Sequence, residues 1–157
     1  MLSIPDLYED TNVSKSGMKP GGWIELQDIG VLAPDDGQDI SDTGIMQWYE
    51  TVAKAFDVCG RGVKAGEHHA ERLKAAGFVD VHDELYKWPL TPWPEDPKLK
   101  ELGLWSRENM LDCLEAWAIV PFTKFLGWTP EEVQVSLVKA RADLRDPKMT
   151  IHASWNM

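Results

Sequence analysis

Cysteine is scarce: Cys59 and Cys113 are the only two in 157 residues. That is too few for a disulfide framework, and they lack the short Cys/His spacing of a structural zinc site. Positive charge is also short. The 16 Lys+Arg face 26 Asp+Glu, a formal net charge of −10, which argues against direct nucleic-acid binding because replacing phosphate counterions needs clustered cations. No run approaches the ~20 apolar residues of a membrane span. The opening MLSIPDLYEDTN has neither the basic region nor the apolar stretch of a signal peptide, so the expectation is an intracellular protein, cytoplasmic or nuclear, without membrane contact. A Gly-rich phosphate loop is missing too. Gly21-Gly22 precedes a predicted strand instead of following one, and Gly60-Arg61-Gly62 follows a helix.

What is abundant is tryptophan, with 8 Trp against 4 Phe and 3 Tyr; each ring joins a large apolar body to one N–H that wants an acceptor. The 43% hydrophobic and 27% charged fractions are those of one soluble globular domain. Residues 1–17 read as a poorly ordered lead, and residues 18–157 as the folded part. The turn Met18-Lys19-Pro20-Gly21-Gly22 leads into an alternating run from Trp23 to Ile29, a predicted strand closed by Pro34-Asp35-Asp36-Gly37. After Ser41-Asp42-Thr43, apolar residues at Ile45, Tyr49, Val52 and Phe56 predict a helix ending near Gly60. A second helix is predicted from Ala65 to Ala76, stopped by Gly77 with Phe78 beyond it. Phe78 to His82 then predicts a strand, and Lys87-Trp88-Pro89-Leu90-Thr91-Pro92-Trp93-Pro94 a rigid loop. Helix is expected from Pro97, interrupted near Gly103 and broken at Pro121. Thr129-Pro130-Glu131-Glu132 is a capping box that opens a helix with Val133, Leu137, Ala140 and Leu144 on one stripe. Residues from Met149 to Trp155 predict the start of a last strand. The order is α/β, and it is short of strands.

The runs Lys19-Pro20-Gly21-Gly22-Trp23-Ile24-Glu25-Leu26-Gln27-Asp28, Ala76-Gly77-Phe78-Val79-Asp80-Val81, Lys87-Trp88-Pro89-Leu90 with Trp93-Pro94, Lys100-Glu101-Leu102-Gly103 and Leu126-Gly127-Trp128 carry a resemblance. From Met18 to Trp155 the chain resembles the C-terminal half of the fungal LaeA-type S-adenosylmethionine-dependent (class I) methyltransferases. The resemblance implies an incomplete Rossmann-like methyltransferase fold. Trp23 to Ile29 is similar to strand five of a seven-stranded sheet, Phe78 to Tyr86 to strand six, and Ile151 to Trp155 to the beginning of strand seven. The N-terminal cofactor-binding half has no counterpart. S-adenosylmethionine is the implied cofactor, and with no Gly-rich turn to bring backbone close to it, the chain alone is expected to bind it weakly.

The implied function is methyl transfer in fungal secondary metabolism or its regulation. Alternatives are a methyltransferase-derived cyclase acting without a methyl donor, a regulatory protein-interaction module, and an incomplete gene product. Partners would be a small-molecule substrate, or a protein or second copy covering the unpaired sheet edge. Glu25, Gln27 and Asp28 are candidates for a crevice at the carboxyl end of their strand, where cofactor or substrate would lie; an exposed strand with one wet face explains them equally well. His82 and His152, each on a predicted strand, are candidate general bases, against the plainer reading of satisfied histidines. Trp93 and Trp105 are candidates to roof a substrate pocket, while Trp88 reads as packing. The adjacent His68 and His69 point about 100° apart on a helix and cannot share one ion; His68 with Glu71 or Glu67 with Glu71 could, but a solvated helix face is the plainer reading, so no metal site is expected.

Overall fold

The computed structural model describes residues 17–35, 37–60, 62–63 and 65–157. The lead expected over residues 1–17 lies outside them except for Gly17, as does Arg61 of the Gly60-Arg61-Gly62 run. Three strands, β1 (Asp28–Pro34), β2 (Leu85–Pro89) and β3 (Ile151–Asn156), form one sheet in the order β1-β3-β2. β3 is antiparallel to both neighbours, so β1 and β2 run parallel to each other. The helices are α1 (Gly44–Val58), α2 (His69–Ala75) preceded by a 3-10 turn (Ala65–His68), α3 (Pro97–Ala116), α4 (Ile119–Phe125) and α5 (Pro130–Arg145).

Three helix ends have a clear local cause. The Thr43 hydroxyl accepts from Met46 N–H at 3.3 Å and starts α1, satisfying one of the donors that a helix N-terminus leaves without a partner. Helix α2 stops where expected, at Gly77 with φ 85°. Phe78 N–H reaches Leu73 O at 3.0 Å and Gly77 N–H reaches Lys74 O at 2.9 Å, a paired closure that needs the left-handed residue. The capping box of α5 forms in both directions, Glu132 N–H to Thr129 Oγ1 at 3.2 Å and Thr129 N–H to Glu132 Oε2 at 2.7 Å.

The core lies between one sheet face and helices α1, α3, α4 and α5. Val133, Leu137, Ala140 and Leu144 of α5 are buried, as their spacing predicts. In α1 the stripe is Ile45, Trp48, Val52 and Ala55, while Tyr49 and Phe56 are only half-buried at its margin. The Trp48 indole donates to Leu114 O at 3.1 Å and so ties α1 to the end of α3.

Several expectations are corrected. β1 begins at Asp28, not Trp23, and within it a register shift between Ile29 and Leu32 puts these two residues, three apart, on one face; a bulge of this kind hides the period of two that the sequence shows further upstream. β2 begins at Leu85, not Phe78, because Asp80 takes φ 53° and turns the chain. Lys87-Trp88-Pro89 is not loop. It belongs to β2, an edge strand, where a terminal proline is tolerated. Helix α3 is continuous through Gly103, and the break comes at Trp117-Ala118. Pro121 therefore falls in the first turn of α4, where its missing N–H leaves no bond unmade. β3, expected only as a beginning, pairs with both neighbours from Ile151 to Asn156.

Candidate functional site

Because β1 and β2 are parallel, the sheet has a carboxyl end, where such folds place ligands, and an amino end. Pro34-Asp35, Pro89-Leu90 and the start of β3 meet at the first. Alternation along β3 sends Ile151 and Ala153 into the helical core and His152, Ser154 and Asn156 to the opposite face. All three polar residues are buried. Their neighbours on that face are Ala33 and Pro89 beside His152, Lys87 beside Ser154, and Asp28 and Leu85 beside Asn156.

Two glycines make room for this polar face. A Cβ on Gly30 would lie 2.2 Å from Ser154 Oγ, and one on Gly66 would lie 3.0 Å from Asp28 Cβ and 3.6 Å from Asn156 Cβ. The 3-10 turn thus sits directly over the Asp28 and Asn156 end.

At the carboxyl end His152 Nδ1 lies 3.8 Å from Asp35 Oδ1, and the same oxygen accepts from Lys87 Nζ at 3.1 Å. Nδ1 is buried and has no hydrogen-bond partner. Burial holds the imidazole below its ordinary value; the Lys87 charge adds to this and Asp35 opposes it. The result is a neutral imidazole beside a carboxylate, the state that accepts a proton. Trp93 is at this end too, its indole donating to Ile151 O at 3.1 Å, an acceptor it shares with Leu90 N–H at 3.0 Å.

The other predicted residues are distributed elsewhere. Glu25, Gln27 and Asp28 sit at the amino end, not in a carboxyl-end crevice, because the strand starts only at Asp28. Gln27 donates to the Glu25 carboxylate, and Asp28 Oδ2 lies 3.5 Å from His69 Nε2. His82 is exposed ahead of β2 rather than on it, and with Glu25 it lines a cleft of about 650 Å³ at the amino end. Trp105 projects from α3, exposed. Trp88 is packing: it donates to Ser106 Oγ at 2.7 Å and meets Trp155 at 5.2 Å between ring centroids.

Asp35 and Lys87 are the site residues that sequence reasoning missed. The signal was an acidic residue immediately after the strand, read only as part of a turn. Cys59 and Cys113 are free and half-buried. Among the described residues no group of three or more His, Cys, Asp or Glu could hold a metal ion, and no helix is long and apolar enough to cross a membrane.

No protein-family model matches the chain, and no solved structure matches it. Among curated proteins it is 31% identical over 141 residues to the probable methyltransferase tdiE of Emericella nidulans, covering 89% of this chain and 44% of that protein. It is 35% identical over 119 residues to the methyltransferase pytC of Aspergillus terreus, 75% of this chain and 37% of that protein. To the secondary metabolism regulator LAE1 of Cochliobolus heterostrophus it is 30% identical over 128 residues, 80% of this chain and 41% of that protein. The chain therefore spans less than half the length of these relatives. By sequence it is a homologue of the fungal methyltransferases and LaeA-type secondary metabolism regulators, matched over most of its own residues.

Proposed function

We propose that the chain serves methyl transfer in fungal secondary metabolism or its regulation, with the substrate nucleophile held at the carboxyl end of the sheet and His152 as its proton acceptor. The observation that carries this reading is the buried His152 imidazole, 3.8 Å from the Asp35 carboxylate oxygen that Lys87 also meets. In it, β1, β2 and β3 stand for strands five, six and seven of the methyltransferase sheet.

The implied donor is S-adenosylmethionine, and this reading gives the loops at the carboxyl end to the substrate instead. After β1 the chain carries Asp35 and a single glycine, Gly37; after β2 it runs Leu90-Thr91-Pro92-Trp93-Pro94, where two prolines lack the N–H a donor carboxylate would need. We therefore assign these residues to the substrate. In this reading His152 is the base, with the Asp35 carboxylate 3.8 Å from its Nδ1 and Lys87 Nζ bonded to the same carboxylate oxygen.

The test is replacement of His152 by alanine in the host, with metabolite profiling. Loss of a methylated product together with gain of a precursor lighter by one CH2 is expected. An unchanged profile at normal abundance of the variant refutes the assignment. Calorimetric titration of the purified chain with S-adenosylmethionine is expected to show weak binding, and micromolar binding would place the donor's contacts within this chain.

A second reading, a protein-interaction module, is favoured by the outer edge of β1, which pairs with no strand among the described residues. Sedimentation of the chain with and without candidate partners tests it, and an unaltered monomer throughout argues against it.

A further inference from the structure

The cleft at the amino end lies at the opposite end of the sheet from His152 and is separate from the function proposed above. Its floor is α2, and its walls are the segments that lead into β1 and β2. At about 650 Å³ it falls within the range of small-molecule sites. Its chemistry is one-sided. Glu25, Asp80, Asp83 and Glu84 line it together with His69 and His82, no Lys or Arg does, and the remaining surface, Trp23 included, is largely apolar; Glu25 and Glu84 also accept hydrogen bonds from Gln27 and Tyr86.

The geometry points to this cleft as a binding site for a small organic cation with an apolar body, an ammonium held among carboxylates with its hydrocarbon part against the ring and the aliphatic wall. The four carboxylates draw the cation by complementary charge. The Trp23 ring, 86% exposed, adds the attraction of an aromatic face for an ammonium. An anion of the same shape meets a wall whose formal charge is negative.

The probes are tryptamine and indolepropionate, which share a ring and differ in the sign of the terminal group, titrated calorimetrically into the full chain. Tryptamine is expected to bind and indolepropionate not. A quadruple variant, Glu25→Gln, Asp80→Asn, Asp83→Asn and Glu84→Gln, is expected to weaken tryptamine about tenfold, taking each exposed pair at the modest strength such pairs show. All four side chains are exposed, and asparagine tolerates the left-handed backbone at position 80, so the variant is expected to keep the wild-type melting profile. Trp23→Ala, at an exposed position, is expected to weaken tryptamine several-fold. Equal binding of both probes, binding of neither, or tryptamine affinity unmoved in a folded quadruple variant overturns the proposal.

Discussion

Gly103→Ala sets two physical effects against each other. Position 103 is in the interior of α3, where exchanging glycine for alanine stabilises a helix by about 1 kcal/mol through propensity alone. The structure predicts the reverse. An ideal Cβ at Gly103 would stand 2.4 Å from Thr91 O, 2.8 Å from Thr91 C and 3.0 Å from Pro92 Cα. These are backbone atoms, so no side-chain rotation relieves the clash. Helix α3 would have to withdraw from the loop after β2 by roughly 1 Å to restore ordinary contact distances. Overpacking of this kind costs about 1–3 kcal/mol, and a backbone obstacle puts this case at the upper end. Net of propensity, the loss is about 1–2 kcal/mol. For a chain of this size that is a fall in Tm of about 2–8 °C. Thermal and urea unfolding, followed by circular dichroism and tryptophan fluorescence, read it directly. A variant that melts higher than wild type would mean that propensity governs and that the close crossing of α3 over Thr91-Pro92 is wrong.

Trp48→Phe removes the donor to Leu114 O, a carbonyl in the last turn of α3 that Ala118 N–H leaves in favour of Glu115 O. Stranding that buried acceptor is expected to cost about 1–3 kcal/mol in urea unfolding, and an unchanged midpoint would deny the bond. Thr129→Ala removes one half of the α5 capping box and is expected to cost about 0.5–2 kcal/mol with an unchanged denaturant slope; a neutral result would show that α5 is held by packing alone. His152 is held below the 6.5 of a free imidazole. The unfolded chain therefore binds more protons than the folded one between the two values, and stability falls as pH drops through 6.5 and levels off below the folded value. In an NMR titration of the His152 ring, Lys87→Met should raise its pKa and Asp35→Asn lower it further. Shifts of the same sign in both variants would contradict the cluster.

Much of the helical framework is legible in the chain because its signals are local. Thr129 with Glu132, Ser41-Asp42-Thr43 before Ile45, and Gly77 before Phe78 each place a terminus within a few residues, and the first and last are found as expected while Thr43 proves to be the cap among its three candidates. The strands are less legible. The alternation from Trp23 to Gln27 is real, yet no strand among the described residues pairs with it; the paired segment lies further on, where the irregularity at Gly30-Val31 breaks the pattern. That displacement moved the candidate site as well, since a strand starting at Trp23 puts Asp28 at its carboxyl end, while one ending at Pro34 puts Asp35 there. His152 was legible as a residue type on a strand. Its partners Asp35 and Lys87, separated from it by more than sixty positions of sequence, become neighbours only when β3 enters between β1 and β2.

The composition of β3 argues that this neighbourhood is more than packing. A central strand has two faces to bury, and apolar side chains on both would be the most stabilising choice. Ile151 and Ala153 follow that logic toward the helices, whereas the other face carries His152, Ser154 and Asn156, all buried. Only part of their polarity is satisfied: Ser154 Oγ reaches Val31 O at 3.4 Å, while His152 Nδ1 and Asn156 Oδ1 have no partner. Unpaired buried polar atoms of this kind cost on the order of 1–3 kcal/mol each. Gly30 leaves the space that the Ser154 hydroxyl occupies and Gly66 the space beside Asp28, so the polar face is accommodated by the surrounding backbone. Stability alone gives no reason to hold an imidazole at the carboxyl end of parallel strands against a carboxylate it does not reach. The proton-acceptor role proposed for His152 supplies one.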